Sequence, residues 1–140
     1  MNLRDVASLR LRNQRVSGSH FKSAQEAVGW LGCVQSQEYP VAKWSLAQRA
    51  SGFTDADVDT LLAEGKILRT HILRPTWHFV LPADIRWMMW LTGPRVAKVI
   101  RPSVDIRVPP EPVIQRALDE IRAALSGGRR MTRKQLVDVL

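Results

Sequence analysis

The sequence predicts a mainly α-helical domain carrying one β-hairpin, the outline of a winged helix-turn-helix. Three observations lead there. Residues 65–81, Gly-Lys-Ile-Leu-Arg-Thr-His-Ile-Leu-Arg-Pro-Thr-Trp-His-Phe-Val-Leu, are rich in β-favouring side chains and punctuated by Gly and Pro. Helical patterning with capping signals flanks this stretch on both sides. No other segment reads as convincingly β.

The hairpin is expected over residues 67–81, with strands Ile67–Leu73 and Trp77–Leu81 and a bend at Pro75-Thr76. Given that bend, the period-two rule places Leu68, Thr70, Ile72, Trp77, Phe79 and Leu81 on one face. Arg69, His71, Thr76 and His78 fall on the other. One face would seal a helical core, and the other would meet something wet and anionic.

A chain of 140 residues fits one domain, or one domain and part of a second. It can bury roughly two-thirds of its unfolded surface, enough for a core without staples. With 45% hydrophobic residues, 24% charged and five Trp, the composition is globular rather than disordered. Cys33 is the only cysteine, which excludes an intrachain disulfide and a cysteine zinc cluster, and fits a reducing cytoplasm. The first dozen residues carry Arg4, Arg10 and Arg12 without the apolar run of a signal peptide. The longest apolar stretch, Trp87 to Leu91, is far below the ~20 residues of a membrane span. A net charge of +8 favours a polyanionic partner such as nucleic acid, though basic proteins without one are common.

In chain order, Leu3 to Val16 reads as an amphipathic helix, with Leu3, Val6, Leu9 and Val16 on one stripe and Arg4, Arg12 and Arg15 on another. Ser23-Ala-Gln-Glu26 is a capping box opening a helix that turns Ala24, Ala27, Val28, Leu31 and Val34 to one side. Cys33 falls in that helix as a buried small residue. Pro40 suits the first turn of another helix, Val41 to Ala50, with Trp44 and Ala47 inward. Thr54-Asp-Ala-Asp57 begins a further helix, apolar at Val58, Leu61 and Leu62 and stopped by Gly65. In a winged helix, the helix just before the hairpin enters the DNA major groove. Here it carries Asp55, Asp57, Asp59 and Glu64, which would repel phosphates, so the ordinary recognition-helix mode is disfavoured.

Beyond the hairpin, Pro82-Ala-Asp84 starts a helix apolar almost all round (Ile85, Trp87, Met88, Met89, Trp90, Leu91), broken at Gly93-Pro94. From Lys66 to Arg101 seven Lys or Arg face a single acid, Asp84, the densest basic region of the chain. Arg101 to Pro112, with four prolines, reads as a connector. Val113 to Leu125 is a clean amphipathic helix halted by Gly127-Gly128. Thr132-Arg-Lys-Gln135 is a second capping box, opening a helix inside which the chain stops. An apolar face left unpaired there suggests the N-terminal part of something longer.

Generic motifs of chemistry are few. No phosphate-binding glycine loop, nucleophile elbow or His-Glu-x-x-His helix occurs. His71 and His78 could face each other diagonally across the hairpin, but two histidines without a carboxylate or thiolate make a poor metal site, so no metal and no cofactor are expected. In an extended Gln35-Ser36-Gln37 linker, both amides would project to one side. Spacing alone favours a solvated loop or a pair of helix caps there.

The segments Leu9-Arg-Leu-Arg-Asn-Gln-Arg15, Val34-Gln-Ser-Gln-Glu-Tyr-Pro40 and Arg69-Thr-His-Ile-Leu-Arg-Pro-Thr-Trp-His-Phe-Val80 together resemble the bacterial AlkZ/YcaQ-like family of winged-helix DNA glycosylases. The similarity runs from about Leu3 to Ile100. It implies tandem winged helices: a first unit over residues 1–101, the connector at 102–112, and the helical start of a second, incomplete unit at 113–140. It also implies packing against C-terminal domains beyond this chain. In that family a Gln-x-Gln or Gln-x-Asp motif is catalytic, and Gln35 and Gln37 occupy it here, with Ser36 where a small or apolar residue is usual. The family removes bases alkylated on the imidazole ring of guanine, and one member unhooks interstrand crosslinks. The implied partner is double-stranded DNA, alkylated or crosslinked, and no membrane. Arg12, Arg15, Lys43, Arg69, His71, Arg74 and His78 are the residues expected to hold it. The alternative is a non-catalytic winged-helix DNA-binding or regulatory module.

Overall fold

The computed structural model describes residues 2–18, 20–100 and 109–140. The chain divides into two compact units, Met1–Ser103 and Val104–Leu140. Most of the expected connector, residues 101–108, lies outside the described residues.

Unit one runs α1 (Leu3–Asn13), α2 (Ala24–Leu31), β1 (Cys33–Gln35), α3 (Tyr39–Ala47), α4 (Asp55–Ala63), β2 (Leu68–His71), β3 (Trp77–Val80) and α5 (Ile85–Ile100). From α2 onward the order is helix, strand, helix, helix, strand, strand, a winged-helix-like sequence of elements. The fold is mainly helical with one small antiparallel sheet, ordered β1-β3-β2.

The sequence did not anticipate β1. The second helix stops at Leu31, because Gly32 takes a left-handed conformation (φ 74) and releases the chain into Cys33–Gln35. Val34 and Cys33 therefore lie on a strand, not a helix. A side chain at Gly32 would also press on Met88, 3.2 Å from the position of its β-carbon. Ser23 accepts from the Glu26 backbone as expected, but the Glu26 carboxylate reaches Lys22 N rather than closing a box on Ser23.

The hairpin forms with another register. His71 pairs with Trp77, Thr70 with His78, Arg69 with Phe79 and Leu68 with Val80. The loop thus holds Ile72–Thr76 rather than a two-residue bend, with Leu73 left-handed (φ 62) and two tight bonds, Arg74 N to Ile72 O and Thr76 N to Arg74 O. An odd shift of register exchanges the faces of one strand against the other. Val34, Arg69, His71, Trp77 and Phe79 share one face; Cys33, Gln35, Leu68, Thr70, His78 and Val80 share the opposite one. His71 and His78 consequently lie on opposite faces and cannot form a pair.

Each face is covered. Val34 and Phe79 join Ala24, Ala27, Val28, Ala42, Leu46, Val58 and Ile67 in the main core beneath α2, α3 and α4. On the other face, Ile72 and Val80 pack with Met88 of α5, beside Cys33, Leu68 and Ile85. Helix α3 is rotated from its expected phase: Trp44 is 63% exposed and Ala47 is outward, while Ala42, Lys43 and Leu46 are buried. Helix α4 is opened by a full capping box between Thr54 and Asp57, and Gly65 (φ 71) ends it. Helix α5 continues through Gly93-Pro94 instead of breaking. Proline removes one bond to the Trp90 carbonyl, at a position open to solvent (Trp90 is 82% exposed). The apolar girdle of α5 is likewise only partly used, since Met88 is buried but Trp87, Met89 and Leu91 are not. Helix α1, capped by Asn2 and Asp5, buries none of its residues.

Unit two comprises α6 (Glu111–Leu125), a 3-10 turn at Ser126–Gly128 and α7 (Arg133–Val137). The Thr132–Gln135 capping box is complete, yet α7 is a short helix that ends at Val137. Among the described residues, no helix is long and apolar enough to cross a membrane.

Candidate active site and nucleic-acid interface

Gln35 closes β1, and Ser36 and Gln37 bridge it to α3. Exposure alternates along this bridge: Val34 and Ser36 are buried, Gln35 and Gln37 are exposed. Both amides thus emerge toward solvent. Neither caps a helix, since the N-cap of α3 is Glu38 without a side-chain bond.

Their orientation is fixed by donors from the hairpin. Arg74 Nη2 donates to Gln35 Oε1 at 2.9 Å. The backbone NH of Trp77 donates to Gln37 Oε1 at 3.2 Å. Arginine and a backbone NH have no acceptor to offer, so each amide must present oxygen to the protein and turn its NH2 outward. Each oxygen keeps a second lone pair. The bridge backbone is tied as firmly: Ser36 N donates to Trp77 O (2.7 Å). Arg69 donates to Ser36 O through Nε (3.2 Å) and Nη2 (2.9 Å), with a longer contact from Nη2 to Gln37 O (3.3 Å).

A second network stands behind this one. Lys43 Nζ lies 2.6 Å from Asp55 and 3.1 Å from both oxygens of Asp59, and the Tyr39 hydroxyl donates to the same Asp59. Burial and then the bond to Asp59 push the Tyr39 pKa up to about 12. The Tyr39 bond, and next the Lys43 bond, hold Asp59 below the usual carboxylate range. The Asp55 bond raises Lys43. Tyr39 meets Phe79 edge-on at 6.0 Å, and the Arg69 guanidinium lies 5.5 Å over the Tyr39 ring and 4.6 Å over Trp77.

The expected DNA-contacting residues part company here. Arg74 is exposed beside the bridge, on which it holds Gln35, and His71 is exposed on β2, where it stacks on Trp77 with ring centroids 4.1 Å apart. Arg12 is exposed on α1. Arg15, half-buried and left-handed (φ 54), places its guanidinium 4.7 Å from the Trp30 ring and 5.3 Å from Phe21. Lys43, by contrast, has 7% of its side chain exposed and two aspartates around it, which offset its charge inside the fold. His78 is likewise turned inward. It is buried on β3 with Nδ1 2.8 Å from Thr76 O, and burial above all lowers its pKa. Arg69 is half-buried and turned onto the bridge carbonyls rather than outward.

On its other flank Gln35 lines a cleft of about 330 Å3 together with Gln14, Cys33, Ser45 and Arg49. Arg49 Nη1 is held by the Ser45 carbonyl (2.7 Å) and hydroxyl (2.9 Å). Burial raises the Cys33 thiol, so it stays protonated. Among the described residues, no group of three or more potential metal ligands gathers.

Trp77, Tyr39 and Ser36 are the members of this site that the sequence did not single out. Trp77 acts chiefly through its backbone, which carries no sequence signal. Ser36 acts by being buried, which becomes legible only once β1 is seen to continue its alternation through the bridge.

No curated protein matches the sequence. Among solved structures the fold is similar to that of Streptomyces sahachiroi DNA glycosylase AlkZ, with a TM-score of 0.73 and 24% identity. That match covers 99% of this chain and 37% of the other, so this chain spans little more than a third of that protein's length. Residues 28–140, which include the glutamine bridge, the hairpin and unit two, match the family described as DNA glycosylase AlkZ-like. The chain belongs to the AlkZ-like DNA glycosylase family.

Proposed function

We propose that this chain carries the catalytic bridge of a monofunctional DNA glycosylase that hydrolyses the N-glycosidic bond of guanine alkylated on its imidazole ring. The observation that carries this reading is the geometry of Gln35 and Gln37: two exposed amides on a backbone tied down by Arg69 and Trp77, next to the exposed guanidinium of Arg74.

Alkylation makes the base cationic. As the C1′–N9 bond breaks, its electron pair neutralises the base, which leaves without a general acid. A water oxygen then bonds to C1′ and gives up a proton to solvent. The free lone pairs on Gln35 Oε1 and Gln37 Oε1 can each accept a hydrogen from that water, turning its own lone pair toward the sugar. Neither amide can take the proton, so catalysis rests on positioning and oriented dipoles. Such a site suits labile, charged lesions and fails on ordinary bases. Arg74, His71 and Arg12 supply the phosphate contacts in this reading, and α4 does not enter the groove, since Asp55 and Asp59 are turned onto Lys43. Units one and two would correspond to the first of tandem winged helices and the opening of the next.

The occupied oxygens of both amides favour one other reading, a non-catalytic DNA-binding unit. The two separate on a duplex carrying 7-methylguanine. The glycosylase releases the free base from that duplex and none from an unmodified one, whereas the binding unit holds both equally and releases nothing.

A further inference from the structure

We propose that Arg69 is a positioning residue for the Gln35–Gln37 bridge and not a phosphate contact. This rests on the catalytic reading of the two glutamines. The planar guanidinium faces inward, with Nε and Nη2 converging on Ser36 O at 3.2 and 2.9 Å and Nη2 also 3.3 Å from Gln37 O. It is stacked 4.6 Å over the Trp77 ring. Trp77 in turn accepts Ser36 N and donates to Gln37 Oε1. Residues Ser36 and Gln37 are therefore clamped at both their carbonyls by Arg69, at the Ser36 NH by β3, and at the Gln37 side-chain oxygen by the same strand. Tyr39, beneath the guanidinium, is itself fixed through Asp59 to Lys43 and Asp55.

Removing the fork frees that peptide to rotate and carries the Gln37 amide with it. Misplacing a catalytic group by about 1 Å costs on the order of 10²-fold in rate. Lysine cannot replace the clamp, because a single ammonium on a flexible stem does not reproduce a planar two-nitrogen grip.

The test compares wild type, Arg69→Lys, Arg69→Ala and the Gln35→Ala/Gln37→Ala pair on a 7-methylguanine duplex. It reads the single-turnover excision rate, the salt dependence of DNA affinity and the melting temperature. The positioning role predicts that Arg69→Lys loses about 10²-fold in rate while keeping the wild-type Kd and salt slope. It also predicts that methylguanidine restores part of the rate to Arg69→Ala and none to the glutamine pair. A salt slope lowered by about one unit in Arg69→Ala at wild-type rate makes Arg69 a phosphate contact and overturns the role. So does a wild-type rate in Arg69→Lys, or a collapse of its melting temperature, which would make Arg69 merely structural. If the glutamine pair loses excision while Arg69→Lys keeps it, only the positioning role falls. If the glutamine pair excises normally, the catalytic reading falls and takes this role with it.

Discussion

Gln35 on β1 stands directly across from His78 on the central strand in the sheet register, one side chain exposed and the other buried. The histidine that looked like a surface cation is a neutral neighbour of the bridge. Burial is the largest reason its pKa is lowered, and the positive Arg74 and His71 act in the same direction against the bond to Thr76. In the unfolded chain His78 titrates near the ordinary value of about 6.5. Below that pH the unfolded state takes up the proton first, so the stability His78 contributes is present above about pH 6.5 and falls as pH drops toward the folded value. The melting temperature should therefore decline as the pH falls below about 6.5, and His78→Gln should flatten the decline. An unchanged pH slope in the variant would contradict the buried, neutral histidine.

Lys43 and Arg74 make an opposed pair. Lys43 is held among Asp55 and Asp59, whereas Arg74 is exposed at the hairpin tip. Lys43→Gln should lower the melting temperature and leave the salt slope of DNA binding unchanged. Arg74→Ala should lower that slope by about one unit. The reverse pattern would return Lys43 to the DNA interface.

Ser36 is fully buried, and its hydroxyl has no hydrogen-bond partner. An orphaned buried hydroxyl costs about 1–3 kcal/mol, part of which alanine recovers. Ser36→Ala should raise stability by about 1 kcal/mol, measured by denaturant unfolding, without changing the excision rate. A destabilised variant would mean that the hydroxyl has a partner of its own.

Much of this fold was legible in the sequence because local signals are strong there. Ser23, Thr54 and Thr132 each announced a helix start, and Gly65 announced an end. The hairpin strands were legible, but their pairing was not. Pro75-Thr76 looked like a complete bend, and only the left-handed Leu73 extends the loop and moves every cross-strand partner. Strand β1 is too short to display its period, and its apolar residues continue the phase of α2, so the stop at Gly32 leaves no visible break in the pattern. The face of α3 depends on two aspartates from α4 that draw Lys43 inward, a tertiary effect with no local trace. At the site, the side of the chain on which Gln35 and Gln37 emerge followed from period two alone. What holds them in place did not, because Arg69 acts on the Ser36 carbonyl and Trp77 acts through its own backbone NH, each some thirty to forty residues away in the chain.

The central claim is that two neutral amides on a clamped bridge direct water onto the sugar of a cationic base. It is tested most directly by single-turnover release of 7-methylguanine from duplex DNA by wild type and by Gln35→Ala/Gln37→Ala, with DNA affinity measured alongside. The account predicts a fall in rate of at least about 10²-fold with affinity little changed. Equal rates in the two proteins would contradict it.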